Sequence, residues 1–109
     1  MSSILNDVKH QLGLQPEDVA FDTTIIIHIN SVFTTLTQLG VGPSVGYMIV
    51  DETNEWDEFF EDQRLNSVKS YMFLRVKLLW DHPQVGKVVD SYERQIEQME
   101  WRLNAEVDF

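Results

Sequence analysis

Val85, Val89, Tyr92, Ile96, Met99 and Leu103 follow one another at steps of four, three, four, three and four residues. An α-helix gathers positions so spaced onto one stripe, whereas a strand scatters them over both of its faces. The spacing predicts a helix from Val85 to about Asn104 and requires that its stripe be buried. A coiled coil with another chain would bury it, and so would the core of its own domain. Trp101 falls off the stripe, which implies a second contact surface.

The same period organises the rest of the chain. Ile25, Ile29, Val32, Phe33 and Leu36 form one broad face of a helix from Thr23 to about Leu39. Asp22 stands where an N-cap would, and Gly40 ends the helix. The β-branched run from Thr23 to Ile27 favours a strand locally, but periodicity sustained over several turns outweighs it. Leu65, Val68, Met72, Val76 and Leu79 predict a third helix that stops at Asp81-His82-Pro83, since the residue before proline avoids helical backbone. A short first helix, about Ser3 to Leu12, starts on serine and stops at Gly13, with Ile4 or Leu5, Val8 and Leu12 as its stripe.

Between the second and third helices, residues 41–54 form a loop punctuated by Gly42, Pro43, Ser44 and Gly46. Tyr47-Met48-Ile49-Val50 can make a short extended segment within it. The loop is either a functional element or a connection held on the core through Tyr47 and Ile49. Trp56, Phe59 and Phe60 then sit at helical spacing among acids, a single turn with one aromatic and one acidic face. Residues from Glu106 onward carry no pattern, and 105–109 reads as a flexible C-terminal tail. With no repeat and no linker, the 109 residues make one domain. The fold expected is all-α: a small four-helix bundle with one long loop.

Catalytic signals are absent. The chain has no cysteine, which excludes disulfides, thiolate metal sites and a thiol nucleophile, and fits a reducing cytoplasm. A calcium loop starting at Asp51 would put Trp56 where glycine is required and Asp62 where a bidentate glutamate is required. His10, His28 and His82 form no zinc spacing. His28 reads as a structural histidine, and His82 suits the end of a helix. There is no GxSxG and no phosphate loop, and Gly40-Val41-Gly42 follows a helix where a dinucleotide fingerprint follows a strand. No apolar run approaches the roughly 20 residues of a membrane span, and no export signal opens the chain. The expectation is a non-enzyme with no cofactor, no metal and no membrane.

Charge is the remaining signal. Eighteen acids against eight bases give a formal net charge of −10. Seven of those acids lie between Asp51 and Asp62, and seven of the eight bases follow from Arg64 onward. Such a surface repels nucleic-acid phosphates as a whole, yet its polarity favours contact between unlike faces of identical subunits. Lys69, Arg75 and Lys77 share a helix with Tyr71, Phe73 and Trp80. That pattern can bind nucleic acid, but here core packing and salt bridges explain it better.

In their order along the chain, a series of segments resembles the head–tail connector (adaptor) family of tailed double-stranded DNA phages, siphophage type. They begin with Ile4-Leu5-Asn6-Asp7-Val8-Lys9, Leu12-Gly13-Leu14, Phe21-Asp22-Thr23, His28-Ile29-Asn30-Ser31-Val32-Phe33 and Leu39-Gly40-Val41-Gly42-Pro43. Trp56-Asp57-Glu58-Phe59, Val68-Lys69-Ser70-Tyr71, Leu78-Leu79-Trp80-Asp81-His82-Pro83 and Glu100-Trp101-Arg102-Leu103-Asn104 complete the series. The resemblance implies a virion protein made in the host bacterial cytoplasm. It would assemble as a ring of about twelve under the capsid portal protein and carry the stopper or tail-completion protein. DNA would pass through its channel without specific binding. On this reading Asp57, Glu58 and Glu61 of one subunit meet Arg75, Lys77 and Arg94 of the next, and Trp101, Arg102 and Phe109 dock on the portal. The alternative is a small acidic regulator or DNA mimic that occupies a basic site on another protein.

Overall fold

In the computed structural model, residues 3–43, 45–59, 65–80 and 86–107 are described, with backbone alone for 86–89 and 105–107. Five helices appear among them: α1 (Ile4–Gln11), α2 (Asp22–Gln38), the one-turn α3 (Trp56–Phe59), α4 (Leu65–Trp80) and α5 (Gly86–Val107). The described residues hold no sheet, only an isolated antiparallel bridge between Ser3 and Glu55. The four longer helices are the ones the periodicity predicts. Phe60 and 81–85, including His82, lie outside the described residues.

The glycine stops work through their backbone. After α1, Gly13 takes φ 80°, its N–H donates to His10 O, and Leu14 N–H donates to Lys9 O at 2.9 Å. After α2, Gly40 takes φ 84°, its N–H donates to Thr37 O, and Val41 N–H donates to Leu36 O at 2.9 Å. Both are Schellman ends, in which a left-handed residue turns the chain so that orphan carbonyls find donors. Ser3 caps α1 as expected, its Oγ accepting from Asn6 N–H at 3.2 Å.

Asp22 corrects its sequence reading. It is the first residue of α2 rather than its cap, the cap position is Phe21, and no side chain caps this end. The Asp22 carboxylate instead meets Lys9 Nζ at 2.9 Å. Lys9 is buried and also donates to Pro16 O at 3.0 Å. A buried ammonium must be paired and hydrogen-bonded, and this one pins the 12–21 connection against α1. α5 also differs in its end, running three residues past Asn104 to Val107.

α4 is the central helix, packed on α1, α2 and α5. Val68, Tyr71, Met72 and Val76 of α4 are sealed against Ile4, Leu5 and Val8 of α1 and the Ile25–Leu36 face of α2. Ile96 and Leu103 bring the heptad stripe of α5 into the same core. Of the stripe's described side chains, Ile96 and Leu103 are buried in the chain's own core and Tyr92 and Met99 are half-buried. The molecule is flat, 41 × 36 × 20 Å, about two helix layers deep at the usual 8–10 Å spacing.

Candidate functional site

Two surfaces carry the residues singled out above, and each is built by a different part of the fold. The first is the long loop with α3. Among the described residues no strand pairs with 47–51, so side chains supply the partner. Asn30 of α2 donates from Nδ2 to Ile49 O at 3.1 Å and accepts from Ile49 N–H at 2.8 Å, as a neighbouring strand would. Asn54 Oδ1 accepts from Val50 N–H at 2.8 Å and from Asp51 N–H. Asp51 accepts from both the N–H and the hydroxyl of Thr53, and these bonds hold its carboxyl below the usual carboxylate range.

This scaffolding sorts the tetrad 47–50 by alternation. Ile49 is buried, and Tyr47 is half-buried with its ring edge-on to Phe33 and tilted against Phe59. Met48 and Val50 point out, 67% and 75% exposed, and Val45 is 94% exposed. Gly42 has no room for a side chain, because a Cβ there would lie 2.4 Å from the Phe59 ring. The loop therefore lies close over α3.

On α3, Trp56 and Phe59 turn inward while Asp57 and Glu58 turn out. Trp56 Nε1 donates to Asp7 Oδ2 at 2.8 Å, and Lys69 Nζ stands 5.6 Å from the Trp56 ring centroid. Glu58 is occupied locally. It accepts from Glu55 N–H at 2.7 Å, from Asn54 Nδ2 and, at 3.5 Å, from the Tyr47 hydroxyl. Burial, and then the charge of Glu58, push the Tyr47 phenol up to about 12. Asp57 is the acid of this pair left to face outward. Glu61 lies outside the described residues.

The second surface is formed by α4 and α5. Arg75 is taken up inside the chain: its Nη1 meets Glu100 Oε2 at 3.1 Å, and Glu100 also accepts from the buried Tyr71 hydroxyl. Burial and this bond raise the Tyr71 phenol above its ordinary value. Lys77, Arg94 and Arg102 are exposed, and among the described residues no ion pair reaches them. Trp101 is 73% exposed on the outward side of α5. Arg102 instead turns toward α4, lining a groove with Asn66, Ser67, Ser70, Met99 and Leu103. The structure thus separates Trp101 from Arg102, and Phe109 lies outside the described residues.

Sequence reasoning missed Asn30, Asn54 and the exposed trio Val45, Met48 and Val50. The alternation of 47–50 was the available signal for Met48 and Val50; Val45 and the asparagines gave none. Among the described residues no group of three or more His, Asp or Glu side chains could hold a metal ion. Likewise, among them no helix is long and apolar enough to cross a membrane. A family model described as a phage connector protein matches residues 4–109, nearly the whole chain. Neither curated proteins nor solved structures give a significant match.

Proposed function

The chain belongs to the phage connector protein family, and we propose that it forms the adaptor ring beneath the capsid portal. The family makes it a structural protein of the head–tail joint of a bacteriophage virion, associated with portal and tail proteins. In the proposed role the ring extends the DNA channel and offers its far side to the stopper or tail-completion protein. DNA passes without being held, because a subunit with net charge −10 repels phosphate.

One observation supports assembly from copies of the chain. In a molecule with more than twice as many acids as bases, Lys77, Arg94 and Arg102 still find no acid among the described residues. Their counterparts are the acids that follow the loop on the next subunit: Asp57 and Glu58, which face outward, and Glu61 by its place in the sequence. Arg75, already paired with Glu100, contributes less to such a contact. Trp101 on the outer side of α5, with the C-terminal Phe109, is assigned to the portal; Arg102, turned toward α4, joins the subunit contact.

A stop codon at Gln11 tests the role. Electron microscopy of the lysate should show packed or leaking heads lying apart from finished tails. Normal tailed virions would remove the adaptor reading and favour the acidic regulator. Asp57→Lys with Glu61→Lys tests the charge pairing, and it avoids Glu58, whose loss would also strip a cap from the 54–58 turn. The double reversal should lower the yield of joined particles at least tenfold while the purified chain keeps its helical content; an unchanged yield overturns the pairing.

A further inference from the structure

The α4–α5 surface has a shape that charge pairing alone does not use. The groove lined by Arg102, about 240 Å³, shares Ser70 and Met99 with a second groove of about 300 Å³. The second continues along Phe73, Leu74 and Lys77 to Gln95, with Gln11 of α1 also lining it. On α4 the shared lining runs from Asn66 through Ser70 and Phe73 to Lys77, steps that keep it on one side of a helix. The two grooves are therefore one trough between antiparallel helices. Its length over those eleven residue steps is about 16 Å. Phe73, Leu74, Met99 and Leu103 give it an apolar floor, Lys77 and Arg102 stand at its two ends, and among the described residues no carboxylate lines it. In so acidic a chain, that is a selective surface.

The opposite features occur on the loop. Val45, Met48 and Val50 project into solvent, with Asp51 and Glu52 beside them in the chain and Asp57 outward on α3. Five residue steps from Val45 to Val50 span at most about 17 Å, and the turn closed by Gly46 N–H on Pro43 O shortens this, so the segment fits within the trough. Among the described residues nothing covers either surface, so neither fills the other at home. Resting on the adaptor reading above, we infer that the 45–50 loop of one copy lies in the α4–α5 trough of the next. The three apolar side chains sit on the trough floor, and the acids flanking the loop reach Lys77 and Arg102. The two patches differ, so the contact is head-to-tail and repeats from copy to copy, the kind that closes into a ring.

The lack of native cysteine makes this testable in intact virions. Phage carrying Val45→Cys together with Ser70→Cys, both at exposed positions, would be purified and treated with a short bismaleimide. A ladder of chain multimers, with neither single variant giving one, is the expected result. Self-linking of the Val45→Cys single variant would show a two-fold contact and overturn the inference. Linking of the Val45→Cys single variant to a different virion protein would assign the loop to that partner and overturn it too. A chain present in virions but giving no multimers also overturns it, while the adaptor reading stands. A chain absent from the virions removes the adaptor reading itself, and this inference with it.

Discussion

α2 and α5 are the two longest helices, and they are held in opposite ways. α2 begins without a side-chain cap and opens on a β-branched run, both unfavourable locally. Yet Ile25, Ile29, Val32, Phe33 and Leu36 all have no exposed surface. α5 is rich in Glu, Gln, Arg and Met, good helix formers, but among its described side chains only Ile96 and Leu103 are buried. Met99 adds a half-buried contact, and the polar ties are Glu100 to Tyr71 and Arg75, and Asn104 Nδ2 to Leu39 O at 3.2 Å. Burial carries α2 and local propensity carries α5. It follows that α2 opens only with the whole molecule, whereas α5 can loosen alone.

The largest effect that this contrast predicts is for Phe33→Ala. The ring packs 4.7 Å from Phe59 and 5.1 Å from Tyr47, centroid to centroid, so its loss empties the junction of α2, the loop and α3. A cost of about 3–5 kcal/mol is expected, read by urea unfolding with all probes moving together. A cost below about 1 kcal/mol would mean that the loop collapses into the space and that α2 is not the rigid element.

Leu103→Ala should cost less, about 2 kcal/mol, the low end for such truncations, because the site lies near a helix end that can close around it. Its signature is spatial rather than energetic. Hydrogen exchange should lose protection over the last turns of α5 while α2 amides keep theirs. Equal loss in both helices would break the comparison and make them one cooperative unit.

The elements of this contrast differ in how far they can be read from sequence. α5 was legible as a stripe, α2 as a face that overrode its own β-branched start, and Gly13 and Gly40 as stops, because each depends on neighbours within a turn. Trp101 was legible by failing to fit the stripe. The pairing of Lys9 with Asp22 was not, since nothing local says that the lysine is buried and the aspartate serves it rather than a helix end. Nor was Asn30: its amide acts as a strand partner for Ile49, nineteen residues away, and only the packed loop creates that need. The trough was hidden for the same reason, because it is lined from α4, α5 and the end of α1 at once.

The smallest effect concerns the polar tie of α5 and is read in alkaline solution. In the folded chain the Tyr71 phenol holds its proton above the ordinary value of 10.0, first because it is buried and then because Glu100 accepts from it. Tyr47 is pushed up to about 12 by burial and the charge of Glu58. Both phenols ionise earlier in the unfolded chain, so above pH 10 the unfolded state binds fewer protons and stability falls as pH rises. Tyr47's share of that loss is complete near pH 12. Glu100→Gln keeps an acceptor for the Tyr71 hydroxyl but removes the negative charge, leaving the Arg75 guanidinium, 3.4 Å from the same hydroxyl, to favour the phenolate. The variant's stability should therefore decline less steeply between pH 10 and 11.5, with α5 amides showing the change and α2 amides none. A slope equal to that of the unaltered chain would mean that burial alone sets the Tyr71 proton, and that the ion pair with Arg75 holds α5 without help from the phenol.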